Sequence, residues 1–253
     1  MSTRIKTALV TGSAKRLGRT IALDLARHGW NVALHYHSSE REARATQAEI
    51  QAAGVAAVLL KCDLSHEPEV QSLVARAKDA LGPISALVNN ASVFENDVWQ
   101  NASRATWDLH METNLRAPFV LAQEFARHLD EGSGGAIVNL LDQRMLKPTP
   151  QFLSYAVSKA GLYWLTTTLA QGMAPNIRVN AVAPGPTMIN ARQDADDFQR
   201  QREATILGSG AEPQDVAAAV RYLLEAVSVT GQTIAVDGGQ HLIWQTPDTC
   251  VRE

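Results

Sequence analysis

Along the chain, apolar runs of five to seven residues alternate with longer stretches whose apolar positions recur at helical spacing. The runs near 5–10, 31–36, 55–61, 84–90, 135–141, 176–182 and 232–237 are rich in Ala, Val, Leu and Ile and nearly continuous in hydrophobicity. Strands buried on both faces of a parallel sheet have that character. The stretches between them predict helices over about 17–28, 40–53, 67–81, 103–130, 152–173 and 213–226. Ser39 followed by Glu42 fits a capping box, and Pro213 fits a first helical turn. Gly29, Gly54 and Gly82 fit the left-handed residue that closes a helix. No linker, repeat or low-complexity tract divides residues 1–253, so the pattern predicts one α/β domain: a doubly wound, seven-stranded parallel sheet with helices on both faces.

Residues 186–211 break the rhythm, being polar with a glycine-rich exit. Between two late strands such a segment is either a surface excursion or a lid. Its expected place, at the carboxyl ends of the strands where ligands bind, favours a substrate lid.

Composition narrows the function classes. At 253 residues, of which 45% are hydrophobic and 19% charged, the chain is globular and not disordered. It carries 23 basic and 26 acidic residues and no basic block, which argues against a nucleic-acid partner. Cys62 and Cys250 lie far apart without a CxxC pair, so neither a disulfide framework nor a cysteine zinc site is expected. Asp194, Asp196 and Asp197 lack a histidine partner and read as a solvated helix face, so no metal is expected. No apolar run approaches the roughly 18 residues that span a bilayer, and the N-terminus has no signal-peptide core. A cytoplasmic protein is the expectation.

The first strand ends in Thr11-Gly12-Ser-Ala-Lys15-Arg16-Leu17-Gly18, and a helix follows. Small residues there let the backbone approach a pyrophosphate, which the helix N-terminus attracts. A carboxylate at the end of the second strand would select the ribose of NAD, but none of residues 34–39 is acidic. Lys15, Arg16, His37, Ser38 and Ser39 supply positive charge and donors instead, which suits the 2′-phosphate of NADPH. Asp63-Leu64, at the end of the third strand, falls near the adenine; the other reading of Asp63 is a helix cap with Ser65.

Tyr155-Ala-Val-Ser-Lys159 sets a phenol and an ammonium one helical turn apart on one face. A nearby ammonium is expected to lower a tyrosine pKa from about 10 toward working pH and so ease proton transfer. Thr11-Gly12…Gly18, Asn89-Asn90-Ala91, Asn114, Tyr155…Lys159 and Pro184-Gly185 together resemble the ordered signature of the short-chain dehydrogenase/reductase family, from residue 5 to about 243. The resemblance implies a Rossmann-type fold binding NAD(P)(H), with Asn90, Ala91, Ser92, Pro184 and Gly185 also beside the cofactor. It implies that Tyr155 transfers the proton, that Lys159 binds the ribose and tunes Tyr155, and that Asn114 anchors a water relay. It further implies a homotetramer paired through the helices over 103–130 and 152–173 and the C-terminal strand.

Three departures from the family pattern are informative. Asp142 stands where the family has a serine that holds a substrate carbonyl, Ser92 replaces a glycine after Asn-Asn-Ala, and Arg16 replaces the middle glycine of the first motif. With Leu34-His-Tyr-His-Ser, these resemble the pteridine reductase branch, including bacterial dihydromonapterin and dihydrofolate reductases. Reducing a pterin C=N bond puts hydride on carbon and a proton on nitrogen, leaving no carbonyl oxygen for a serine to hold. A partly desolvated carboxyl can be a proton donor, so Asp142 and Tyr155 are the expected pair. Phe94 offers a face for a flat ring, and Arg16 and Ser92 could meet pterin or phosphate polar atoms, as the resemblance implies. Each has a plainer reading: Asp142 paired with Arg144 or Arg16, and Phe94 as core under the lid. Trp99, Trp107, Tyr163 and Trp164 read as packing or subunit contacts. The resulting expectation is an NADPH-dependent dihydropterin reductase. The competing readings are a carbonyl reductase and a non-catalytic NADP(H) sensor.

Overall fold

The computed structural model describes residues 6–189 and 192–246. Its strands are β1 Lys6–Val10, β2 Trp30–Tyr36, β3 Ala57–Lys61, β4 Ala86–Asn89, β5 Gly135–Leu140, β6 Ile177–Pro184 and β7 Thr233–Val236. Its helices are α1 Arg16–Arg27, α2 Glu40–Ala52, α3 Glu67–Leu81, α4 Arg104–Met111, α5 Ala117–His128, α6 Leu153–Gly172, α7 Ala195–Glu203 and α8 Pro213–Glu225. Every adjacent strand pair is parallel, in the order β3-β2-β1-β4-β5-β6-β7. The winding direction reverses between β1 and β4, which opens a crevice at their carboxyl ends.

Successive strand side chains point to opposite faces. On one face Ala8 and Val10 of β1 meet Ile21 and Leu25 of α1 and Val216 and Val220 of α8. On the other, Leu9 meets Leu73 and Val74 of α3 and Leu121 and Phe125 of α5. This two-sided burial is why the strands read as unbroken apolar runs.

The structure corrects several boundaries. The stretch 103–130 is α4, a π turn at Glu112–Arg116, and α5 in succession. Pro118 has no N–H for the bond to the carbonyl of residue 114 that an α-helix requires, and the wider turn accommodates its loss. Asn114 sits in that turn. Ser39 occupies the N-cap of α2, but at ψ 59 its hydroxyl makes no cap bond, so the expected Ser39–Glu42 box is absent. A capping box forms instead on α8, between Glu212 and Asp215, with Pro213 in the first turn. Gly29, Gly54 and Gly82 have φ of 79°, 87° and 78°, as their helix-closing positions require. Residues 186–211 contain α7, whose N-cap Asp194 accepts from the Asp197 N–H. None of the described helices is long and apolar enough to cross a membrane. Cys62 is buried and unpaired among the described residues; Cys250, residue 5 and the end of the C-terminal tail lie outside them.

Candidate active site

At the mouth of β1 the chain turns through Gly12 at φ 63°. The Gly12 N–H donates to Nδ1 of His35 (3.0 Å), and the His35 Nε2–H donates to the Cys62 carbonyl (3.0 Å). His35 must be neutral for this, and burial pushes its pKa down to about 4. Thr11 Oγ1 accepts from the N–H groups of Asn90 (2.9 Å) and Ala91 (3.0 Å), while Asn90 Nδ2 donates to the Thr11 carbonyl (2.8 Å). The loops after β1 and β4 are thereby one rigid unit.

Two predictions arise here. A Cβ on Gly18 would lie 2.2 Å from the Gly12 carbonyl and 2.5 Å from Asn90 Nδ2. Gly18→Ala should therefore lower stability by about 1–3 kcal/mol in denaturant unfolding and weaken NADPH binding in fluorescence titration. Wild-type affinity in that variant would mean the loop relaxes freely. For His35, the unfolded chain takes up a proton near 6.5 that the native chain refuses until about 4. The stability from neutral His35 is present above that window and lost as pH falls through it. The melting temperature should drop across that range, and less steeply in His35→Gln; equal slopes would exclude His35 as the cause.

Gly12, Lys15, Arg16, Leu17, His37, Ser38, Ser39, Asp63, Leu64, Asn90, Ala91, Ser92, Tyr155, Lys159, Pro184 and Gly185 all line one groove of about 590 Å³. Its positive and hydroxyl donors gather at the end of β2, and no carboxylate from residues 34–39 opposes them. That donor set fits the 2′-phosphate of NADP(H). Arg16 takes φ 55°, the left-handed region that favours glycine, at a cost of order 1 kcal/mol. Asp63 lines the groove, and it does not cap α3, whose N-cap is His66; its carboxylate instead accepts from the Ser65 N–H (2.9 Å) and hydroxyl (2.7 Å) in the turn before that helix.

Tyr155 and Lys159 project from the first turns of α6 and are both buried. Tyr155 Oη donates to Asp142 Oδ2 (2.9 Å), and Lys159 Nζ donates to the Leu140 carbonyl (2.7 Å). The expected lowering of the tyrosine pKa is reversed. Burial, then the Asp142 carboxylate, hold Tyr155 well above its ordinary 10. Tyr155 is therefore a neutral hydroxyl at working pH, able to give a proton. Burial also lowers Lys159, to about 8. The pairing of Asp142 with Arg144 is present alongside its bond to Tyr155: Oδ1 accepts from the Arg144 N–H (2.8 Å) and Oδ2 lies 3.4 Å from Arg144 Nη1.

Asn114 lines neither cavity wall; its amide is spent on the β4 loop. Oδ1 accepts from the Val93 N–H (2.8 Å) and Ser92 Oγ (3.2 Å), and Nδ2 donates to the Val93 carbonyl (2.9 Å) and Ser158 Oγ (3.1 Å). Ser92 faces the groove and not the substrate-side cavity, because its hydroxyl is turned toward Asn114.

That second cavity, about 520 Å³, adjoins the groove at Arg16, Asp142, Tyr155, Pro184 and Gly185. Met188, Arg192, Gln193, Phe198 and Gln201 of the 186–211 segment form one wall. Arg16 Nη1 donates to the Ile189 carbonyl (2.8 Å), and Arg192 bonds the Phe94 carbonyl (2.9 Å) and Glu95. The segment is thus fastened to both sides of the cavity. Phe94 lines the cavity, stacks on Phe152 at 4.3 Å and 6°, and meets Tyr155 edge-on at 4.6 Å. The Arg144 guanidinium lies 5.1 Å from the Phe152 ring and 5.6 Å from Phe94. Phe152, Gln143 and Arg192 were not singled out by motif, His35 figured only within Leu34-His-Tyr-His-Ser, and Arg144 only as a partner for Asp142. A polar residue in an otherwise apolar strand was the signal available for His35. Phe152 and Arg192 reach the site only through tertiary contacts, whereas Gln143 and Arg144 follow Asp142 directly in the chain. Trp99 and Trp164 are 76% and 71% exposed, which rules out packing within this chain.

Fold and site together define a dinucleotide-binding oxidoreductase with a buried tyrosine hydroxyl where its two cavities meet. A family profile described as enoyl-(acyl carrier protein) reductase matches residues 12–241. The 3-oxoacyl-[acyl-carrier-protein] reductase FabG of Staphylococcus epidermidis is 35% identical over 243 residues, covering 94% of this chain and 99% of the relative. Among solved structures, FolM alternative dihydrofolate reductase 1 of Brucella suis, in complex with NADP, superposes with TM-score 0.93 at 45% identity over 98% and 99% of the two chains. The Brucella canis protein of the same name, also with NADP, gives 0.91 at 44% over 97% and 98%. The chain belongs to the short-chain dehydrogenase/reductase family, and it is an NADP-dependent reductase.

Proposed function

We propose that the protein reduces a dihydropterin, of the dihydromonapterin, dihydrobiopterin or dihydrofolate type, at the expense of NADPH. The observation that carries this reading is the Tyr155–Asp142 hydrogen bond at 2.9 Å, with a carboxyl where a carbonyl reductase has a hydroxyl to hold oxygen. The Phe94–Phe152 stack beside it gives a flat heteroaromatic ring an apolar wall. Gln143 Oε1 and Arg144 Nε, on residues of the same cavity, are buried without a hydrogen-bond partner among the described residues. Such groups favour a ligand rich in donors and acceptors. The two Brucella structures named as dihydrofolate reductases add support, at higher identity than the FabG relative.

Bound NADPH supplies the hydride. Lys15, Arg16, His37, Ser38 and Ser39 would hold its phosphates, and Lys159 its ribose. Tyr155 gives its proton to the ring nitrogen, and the Asp142 carboxylate then relays one, taken up from water, to the phenolate oxygen. The Asp142 side chain is 16% exposed, which lets it recover that proton from water. Lys159 and Asn114 support the geometry through the Leu140 carbonyl and the 92–93 loop.

The deciding assay follows NADPH absorbance with dihydromonapterin, dihydrobiopterin, dihydrofolate and a diketone in parallel. Turnover on the pterins is expected; turnover on the diketone alone would establish a carbonyl reductase, and none at all would favour the sensor. A homotetramer is proposed too. Met111, Leu115, Phe119, Trp164 and Leu165 form an apolar cleft across the α4–α5 and α6 helices, the surfaces expected to pair. Light scattering on the eluting protein would test it, a monomer mass counting against it.

A further inference from the structure

Helix α6 carries Tyr155 and Lys159, yet it has no cap of its own: its N-cap is Phe152, in the left-handed region at φ 56°, ψ 45°. The first N–H groups of a helix need acceptors, and a Ser, Thr or Asp at position 152 would have supplied one locally. Here the acceptors come from residues 96 and 97, more than fifty positions away. Phe152 N–H donates to Asn96 Oδ1 (3.2 Å), Leu153 N–H to the Asp97 carbonyl (3.1 Å), and Ser154 N–H to Asp97 Oδ1 (3.0 Å). The Ser154 hydroxyl donates to Asp97 Oδ2.

A third element locks this cap. His110 of α4 accepts the Glu95 N–H at Nε2 (3.1 Å), so its proton is on Nδ1, which donates to Ser154 Oγ (2.7 Å). Asp97, His110 and Ser154 are 3%, 0% and 0% exposed. A buried carboxylate is costly unless hydrogen-bonded, and this one is held by two donors at the positive end of a helix. The same segments touch Tyr155 directly. Phe94, three residues before Asp97, packs edge-on to the Tyr155 ring, and His110 lies 6.0 Å from it.

We propose that Asp97 is a positioning residue. Through Ser154 and His110 it fixes the height and rotation of α6, and hence the Tyr155 hydroxyl against Asp142, and it couples that placement to the loop bearing Phe94. The inference rests on Tyr155 as proton donor and not on the identity of the substrate.

Asp97→Ala removes the carboxylate's two bonds to Ser154 and is expected to lower kcat by roughly 30-fold, since small displacements of a reacting group are that damaging. NADPH affinity, measured by fluorescence, should stay within about twofold, because the groove is built elsewhere. Asp97→Asn keeps the acceptor for the Ser154 N–H and should recover much of the loss. Ser154→Ala cuts the hydroxyl link to Asp97 and His110 and should cost a few-fold in kcat at unchanged affinity. Turnover is read on whichever of the dihydropterin or diketone the wild type reduces, so a wrong substrate class is seen in the wild type alone. A substrate-free reading is the 13Cζ resonance of Tyr155 in tyrosine-labelled holoenzyme, assigned by its loss in Tyr155→Phe and expected to move in Ser154→Ala. Unchanged kcat in Asp97→Ala, an equal fall in NADPH affinity, or no recovery in Asp97→Asn would each overturn the proposal. If Asp97→Ala does not fold, an unmoved resonance and wild-type kcat in Ser154→Ala overturn it equally.

Discussion

Tyr155→Phe is expected to lower kcat by roughly three orders of magnitude, within the range that general acid catalysis supplies, while NADPH affinity stays within about twofold. The substitution removes one oxygen. The ring keeps its contacts with Phe94 and His110, and Lys159 keeps its bond to the Leu140 carbonyl, so the groove is undisturbed. What disappears is a neutral hydroxyl that burial and Asp142 hold protonated. Stopped-flow reduction and fluorescence titration separate the two effects. A variant turning over at near-wild-type rate would remove Tyr155 from the mechanism, and a matched loss of affinity would make its role structural.

Asp142→Ser should divide the substrates. It restores the hydroxyl that the family uses to hold a carbonyl oxygen and deletes the carboxyl proposed to resupply Tyr155. Dihydropterin turnover is expected to fall by roughly a hundredfold, with diketone reduction retained or increased and NADPH binding unaffected. Because Asp142 also accepts the Arg144 N–H, the melting temperature must be followed alongside. Equal pterin rates in variant and wild type would leave Asp142 as the cap of the 143–145 turn and nothing more.

The strands were legible because a sheet buried on both faces demands continuous apolar runs, and all of β1 to β7 fall within about two residues of them. The break within 103–130 was harder to place. Periodicity continues through a π turn, and only Pro118 marked the interruption. At Ser39 the sequence pattern of a capping box was present, but backbone dihedrals decided against it. The direction of the Tyr155 pKa could not be read from spacing. Lys159 is one turn away in sequence, yet its ammonium points to Leu140, and desolvation outweighs it.

By itself, then, the sequence determined the parallel α/β order, the glycine turn, the Tyr155–Lys159 pair and the absence of an acid at the end of β2. Each is a property of neighbouring residues or of burial pattern, which the chain carries locally. Only the tertiary structure decided that Asp142 meets the Tyr155 hydroxyl, that Phe94 stacks on Phe152, that Arg16 fastens the 186–211 segment, and that Asp97 caps α6. Those contacts join residues from 13 to 173 positions apart. Their partners are chosen by which strand ends and helix starts the sheet order brings together, and no local pattern encodes that.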